Sequence, residues 1–134
     1  MKYLCLVCAE TMMEQMPEAE ARACLEEYGR FTEEIRHSGH LVGVNRLQPP
    51  RTATTVRVRQ GQVSVTDGPY AETKEQLGGY FLIEAGDLNE AIQLAARIPG
   101  ARLGCVEVRP VADDTPTLRV LGLVDSGSRR STNC

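Results

Sequence analysis

The chain has 134 residues, of which 42% are hydrophobic and 25% charged, and its net charge is −3. This length suits one domain with one core, and the composition is that of an ordinary globular protein. The acidic balance argues against direct nucleic-acid binding, because such proteins usually carry a basic excess. No apolar run is long enough to span a bilayer, and residues 1–9 lack the features of a secretion signal. We therefore expect a cytoplasmic protein with no membrane contact.

Five cysteines are spread through the chain: Cys5, Cys8, Cys24, Cys105 and Cys134. An odd number of cysteines without a secretion signal predicts reduced thiols. Cys5 and Cys8 have the C-x-x-C spacing of a redox or zinc half-site. On a strand, however, an odd separation sends two side chains to opposite faces. We therefore expect Cys5 and Cys8 to be separate buried thiols.

The first third of the chain predicts a strand, a helix and a second strand. Residues 2–9 are apolar on both faces, as in a central strand. Pro17 then begins a helix that ends at Gly39. Residues 41–48 form the next strand. The helix has an apolar stripe at three- and four-residue spacing: Ala21, Cys24, Leu25, Tyr28, Phe31 and Ile35.

Two histidines, His37 and His40, flank the end of this helix. A structural role near the helix C-terminus is the simpler interpretation for both. Residues 54–59 and 62–66 alternate around Gln60-Gly61, which predicts a tight hairpin.

Residues 66–80 contain the most unusual pattern in the chain. Asp67-Gly68-Pro69 is typical of a turn, because Asp bonds nearby backbone, Gly allows a positive φ and Pro excludes helix before it. Residues 72–76 are too few for an independent helix and predict at most one short turn. Gly78 and Gly79 let the backbone pass close to a neighbouring strand or a ligand. A strand over residues 80–85 follows.

The remaining elements are a capped helix and a last strand. Asp87 suits an N-cap, with Glu90 completing a variant of the capping box, and Pro99 stops the helix. In the strand over residues 104–110, Glu107 and Arg109 share one face, opposite an aliphatic one.

The strand over residues 80–85 repeats this division between an aliphatic and a polar face, with Tyr80 and Glu84 on the polar side. We expect the helices to cover the aliphatic faces. The polar faces would then meet a partner sheet around a wet cavity, most simply in a symmetric homodimer.

The chain resembles a known family. Its central stretch resembles the signature of the DGPF proteins, a branch of the YCII-like superfamily: Asp67-Gly68-Pro69-Tyr70-Ala71-Glu72-Thr73-Lys74-Glu75, then Leu77-Gly78-Gly79-Tyr80. Other matching segments are Leu47-Gln48-Pro49-Pro50, Asp87-Leu88-Asn89-Glu90-Ala91 and Glu107-Val108-Arg109-Pro110. The resemblance covers residues 1–111. It leaves residues 112–134 as a C-terminal tail, of which we expect residues 125–134 to be loosely ordered.

The resemblance implies a fold and a set of partners. The fold is a ferredoxin-like α+β protomer, with an antiparallel sheet and two main helices on one face, pairing as a dimeric α/β barrel. Many members are associated with sigma factors of the extracytoplasmic-function type. Enzymes of the wider superfamily use a His and Asp pair, for which only His40 and Asp67 are available here. Tyr70 stands where the family usually has Phe.

Three interpretations of function follow. The first is a cofactor-independent acid–base enzyme of the lyase or isomerase type, with Asp67 and His40 catalytic. The second is a ligand-sensing or partner-binding module beside a sigma factor, without turnover. The third is a purely structural turn at Asp67. The residues predicted to bind a substrate are Tyr70, Glu72, Lys74, Tyr80, Glu107 and Arg109.

Lys74 stands out within the predicted site because the chain has thirteen Arg and only two Lys, so its generic positive surface is provided by Arg. An ion pair with Glu72 or Asp67 would explain Lys74 equally well. The spacing of His and Cys residues predicts no metal site, and we expect no cofactor.

Overall fold

The computed structural model describes residues 1–10, 13–71, 73–113 and 115–123. Two single-turn 3-10 helices, Met13–Gln15 and Pro50–Thr52, accompany the main elements. In chain order these are β1 (Lys2–Ala9), α1 (Glu18–His37), β2 (Leu41–Arg46), β3 (Thr54–Arg59), β4 (Gln62–Asp67), β5 (Gln76–Glu84), α2 (Leu88–Ala96), α3 (Gly100–Leu103), β6 (Gly104–Pro110) and α4 (Thr115–Val120).

Four strands form one antiparallel sheet in the order β2-β5-β1-β6. Alternate residues of each central strand point to the helices, as the two-residue period of a strand requires. The sheet side of the core is Tyr3, Cys5, Val7, Phe81 and Ile83, and the helix side includes Phe31, Ile35, Ala91, Leu94 and Ala95. Helices α1 and α2 therefore cover the same face. This confirms the predicted ferredoxin-like α+β fold.

β1 is the central strand that the sequence predicted, but only its helix-facing side is buried in the protomer. Leu4 and Leu6, on the opposite side, are half-buried. We call this second side of the sheet the open face. It carries Lys2, Leu4, Leu6 and Cys8 from β1, Tyr80 and Leu82 from β5, and Cys105, Glu107 and Arg109 from β6.

The capping predictions hold with one difference. Asp87 accepts a hydrogen bond from the Glu90 amide at 2.9 Å, as an N-cap should. The Glu90 side chain, however, accepts from the amide of Gly86 at 2.8 Å, one residue before the cap. α1 follows Pro17 and ends at His37, before Gly39 with φ of +79°.

Two predicted boundaries were wrong. β2 ends at Arg46 rather than at residue 48, and β5 begins at Gln76 rather than at Tyr80. The double glycine therefore lies inside a strand. A Cβ at Gly79 would come within 2.7 Å of the Asn45 carbonyl oxygen. The close neighbour of the double glycine is therefore a strand rather than a ligand.

Strands β3 and β4 form a separate two-stranded hairpin. Its turn residues Gln60 and Gly61 have φ of 52° and 75°, which matches the tight turn expected from the sequence. Asp67 is the last residue of β4, and Gly68 follows with φ of +98°.

The predicted tail falls mostly outside the described residues, including all of residues 125–134. Its described part contains α4, followed by exposed Leu121 and Leu123. Within the described segments, we find no helix with the length and apolar character needed to cross a bilayer.

Candidate functional site

A cavity of about 630 Å³ lies between α1 and the sheet, on the helix-covered side. Its lining is mostly apolar. α1 contributes Ala21, Cys24, Leu25, Tyr28, Gly29 and Thr32. The sheet contributes Val7, Ala9, Val44, Asn45, Arg46, Gly78, Gly79, Tyr80 and Phe81. The connecting segments and α3 contribute Met13, Glu14, Met16, Leu47, Gln48, Pro49, Gly100 and Leu103.

Small residues on α1 leave room for this cavity. Gly29 lies in the middle of the helix, and a Cβ there would have no heavy atom within 4 Å. Ala21 lies two turns earlier on the cavity-facing side. Leu25 and Met16 remain partly exposed, so they present apolar surface that no other part of the protomer covers fully.

Tyr28 lines the cavity beside α3. Burial raises the pKa of Tyr28 to about 12, while a hydrogen bond with the Gly100 backbone acts in the opposite direction. The Tyr28 carbonyl accepts from Thr32 Oγ1 at 2.7 Å, which turns the hydroxyl of Thr32 back onto its own helix.

Charged groups occur at the end of β2 and in the segments that follow β1 and β2. Arg46 is exposed, and its Nη1 lies 3.6 Å from the sulfur of Met13, which is a weak acceptor. Glu14 instead has a cationic partner, with its Oε1 3.5 Å from Arg51 Nη1. The cavity lining therefore includes a guanidinium, and within the described residues its one hydrogen bond is the weak contact with Met13.

The predicted loop residues lie apart from this cavity lining. Asp67 pairs with Thr54 across the hairpin, and the turn after it is fixed by the Gly68 amide donating to Ala53 and by Thr55 donating to the Gly68 carbonyl. Tyr70 is 81% exposed.

The guanidinium carbon of Arg57, on β3, lies 5.9 Å from the centre of the Tyr70 ring. Lys74 is exposed, and Glu72 lies outside the described residues.

Among the described residues, no hydrogen bond or ion pair joins His40 to Asp67. The ring of His40 contacts Ser38 Oγ at 2.7 Å and Glu90 Oε1 at 3.5 Å, beside the start of β2. Asp67 belongs to the hairpin that follows the other end of β2. The two side chains therefore have different neighbours in the protomer.

The other predicted site residues, Tyr80, Glu107 and Arg109, lie on the open face, and Tyr80 also contributes to the cavity lining. The Tyr80 hydroxyl accepts from Asn45 Nδ2 at 2.8 Å, and Arg109 donates to Glu107 at 2.5 Å. Leu6 pairs with both Tyr80 and Glu107, so one strand separates these two polar pairs.

Three cysteines lie in the sheet, and the two-residue period of a strand determines which face each one occupies. Cys5 faces the helices and is fully buried, which raises its pKa to about 11. Cys8 faces the open side and is half-buried. Its direct cross-strand partner is Cys105, which is exposed. The prediction that Cys5 and Cys8 point to opposite faces is confirmed, but the expectation that both are buried is wrong for Cys8, because its side of the sheet is not covered by the helices.

Glu75 lies beside this pair of thiols. Its carboxylate accepts a hydrogen bond from Cys105 and raises the pKa of that thiol to about 11, with further contributions from burial and Cys8. Burial raises the pKa of Cys8, and Glu107 and Glu75 add to this effect. Across the described parts of the chain, no group of three His, Cys, Asp or Glu residues is arranged to hold a metal ion.

Comparison with known proteins identifies the family. The pattern of the YCII-related domain matches residues 1–114. The chain belongs to the YCII-related family. It is similar to an uncharacterised protein of Rhizobium meliloti, with 46% identity over 77 residues, which make up 56% of this chain and 62% of that protein. The match therefore spans less than two thirds of the length of that protein.

The cavity is the feature that sequence reasoning missed. The apolar stripe of α1 was expected to cover the aliphatic face of the sheet, but its members Ala21, Cys24, Leu25 and Tyr28 line the cavity. One signal was available, because Leu47, Gln48 and Pro49 belong to a segment that matched the family and all three line the cavity.

Proposed function

We propose that this YCII-related protein binds a small molecule in the cavity between α1 and the sheet, as a ligand-sensing module without turnover. The observation that supports this function is the cavity itself. Its volume of about 630 Å³ falls within the range of roughly 300–1,000 Å³ typical of ligand pockets. An apolar lining with a few polar groups is also typical of such pockets.

The lining favours an apolar ligand that carries an acidic group. Leu25, Met16 and Phe81 supply apolar contacts, while Arg46 supplies a guanidinium. Guanidinium groups bind carboxylates in a bidentate manner, and the contact of Arg46 with the Met13 sulfur is weak enough to be replaced.

The module would act as a homodimer through the open face. Leu4, Leu6 and Leu82 are only half-buried in the protomer, and a second sheet would cover them. This proposal includes the dimeric α/β barrel, the DGPF branch, the cytoplasmic location and association with an extracytoplasmic-function sigma factor. These features rest on the resemblance of residues 67–80 and on the expectations drawn from the sequence.

The acid–base enzyme is the second proposal, with Asp67 as the catalytic group. Tyr70, Glu72 and Lys74 would bind its substrate from the same loop, and Tyr80, Glu107 and Arg109 from the open face. The described contacts of His40 are with Ser38 and Glu90, so they lend this proposal less support than the cavity lends to ligand binding.

A thermal-shift screen of small carboxylic acids tests the proposed function, because a ligand that binds only the folded state raises the apparent stability. The Gly29→Phe variant should keep the fold, but its added ring should fill the cavity, so the ligand should no longer raise the melting temperature. Ala23→Phe, on an exposed position of the same helix, should retain the ligand-induced rise. Binding that survives Gly29→Phe would contradict the assignment to this cavity.

A second comparison tests the acidic group of the ligand. Arg46→Gln should weaken binding of an acid from the screen by about tenfold or more, as expected when a charge-assisted hydrogen bond is lost. It should have little effect on the neutral amide of the same compound. An equal loss for both compounds would contradict the role given to Arg46.

A further inference from the structure

Cys8 and Cys105 are direct partners in the ladder between β1 and β6, although 96 positions separate them in the sequence. The two side chains lie on the open face, and each thiol affects the pKa of the other. Cβ atoms directly opposite each other in an antiparallel pair are about 4.5–5.5 Å apart. A disulfide needs a Cβ separation of roughly 3.5–4.5 Å, so only a small approach of the strands is required.

The position within the sheet makes this approach feasible. The next pair, Ala9 with Gly104, is the last pair between β1 and β6, so the thiols lie near the end of the ladder. β6 is an edge strand and hydrogen-bonds only to β1 within the sheet.

We propose that Cys8 and Cys105 form a dithiol site that reacts with small-molecule disulfides and closes to an intramolecular disulfide between β1 and β6. This proposal concerns the open face and does not depend on the ligand cavity.

The reaction has two exchange steps. The exposed Cys105 thiolate attacks one sulfur of the small disulfide, which forms a mixed disulfide and releases one small thiolate. The Cys8 thiolate then attacks the Cys105 sulfur and releases the second small thiolate. The two protons lost by the cysteines are taken up by the released thiolates. The protein is oxidised by two electrons and the small disulfide is reduced by two.

Glu75 controls the rate of the first step. Its carboxylate accepts the hydrogen bond of the Cys105 thiol and raises the pKa of that thiol to about 11, so little thiolate is present near neutral pH. Two carboxylates face the pair of thiols. Glu75 acts on both Cys8 and Cys105, Glu107 acts on Cys8, and each carboxylate disfavours the thiolate form. The pair therefore stays reduced near neutral pH and reacts faster as the pH rises.

The test uses the full chain and oxidised glutathione at mildly alkaline pH, followed by alkylation and peptide mapping. The expected product is a peptide pair joined through Cys8 and Cys105. Cys8→Ser should instead accumulate a glutathione adduct on Cys105, because the second step is lost. A glutathione adduct that persists on Cys105 in the parent protein, or the absence of any Cys8–Cys105 link, would overturn the proposal.

Glu75→Gln provides a second readout that does not depend on cysteine substitution. Lowering the pKa of Cys105 towards 9.0 increases the thiolate fraction more than it lowers nucleophilicity, so the rate should rise by up to about tenfold. Glu33→Gln, on the exposed side of α1, is the control and should leave the rate unchanged. An unchanged rate in Glu75→Gln would overturn the role of Glu75.

Discussion

The hydroxyl of Tyr28 lies against the backbone of Gly100, where α1 meets α3 beside the cavity. A Cβ at position 100 would come within 2.6 Å of the Tyr28 hydroxyl oxygen and would overlap Cγ1 of Val7. Only glycine fits here, because both neighbours belong to packed elements. The contact joins α1, β1 and α3 at one wall of the proposed ligand site.

Gly100→Ala should lower the free energy of unfolding by about 1–3 kcal/mol, because the added methyl overpacks this contact. Urea unfolding measures the change. Gly29→Ala is the matched control, since a Cβ there meets no atom within 4 Å. It should raise the stability by about 0.5–1 kcal/mol through helix propensity alone. A neutral Gly100→Ala would show that α1 and α3 are not in close contact.

Tyr28 should make stability depend on pH in the alkaline range. Its pKa is raised by burial from 10.0 to about 12, so the folded state holds the proton more tightly than the unfolded state. This contribution is fully present below about pH 10 and is lost as the pH rises through 12.

Unfolding curves measured across this range should show a shallower loss for Tyr28→Phe than for the parent. Cys5 contributes in the same direction between pH 9.0 and about 11, so Cys5→Ala serves as the comparison. Identical pH profiles for Tyr28→Phe and the parent would contradict the burial of this hydroxyl.

Leu6→Lys should convert the proposed homodimer into monomers. Leu6 lies at the centre of the open face between Tyr80 and Glu107, so a lysine there can pair with Glu107 in the monomer but is costly to bury in a dimer. Light scattering at micromolar concentration measures the mass. Ile92→Lys, at an exposed apolar position on α2, should leave the dimer intact. A parent protein that is already monomeric would contradict the barrel.

The elements that local patterns determine were predictable from the sequence. The period of α1, the Gln60-Gly61 turn and the Asp87 cap each depend on residues only a few positions apart. The division of β5 and β6 into an aliphatic and a polar face also follows from strand periodicity alone.

Features that depend on distant pairing could not be predicted in this way. The start of β5 at Gln76 depends on its pairing with Ala9, and the meeting of Cys8 with Cys105 depends on the register of β6. The cavity depends on the gap between Gly29 and the sheet, which the apolar stripe of α1 does not reveal. His40 illustrates the same point, because its contact with Glu90 exists only once α2 docks.

Asp67→Asn separates the two proposed functions. If Asp67 has only a local role, the substitution should cost about 1 kcal/mol or less, because Asn keeps an acceptor of the same shape. Binding of a cavity ligand should then be unchanged in isothermal titration calorimetry. A loss of turnover, or an affinity lowered by more than about tenfold, would favour the acid–base enzyme. Lys74→Met, in the same exposed loop, gives the corresponding test of an anion-binding charge.

The position of a bound ligand tests the central claim most directly. Amide chemical shifts of the ¹⁵N-labelled protein would be followed while a carboxylic acid found by the thermal-shift screen is added. The account predicts that the largest changes occur at Gly29, Thr32 and Gly79, which line the cavity. Changes confined to Gly68, Tyr70 and Lys74 would contradict it and would place the ligand at the loop.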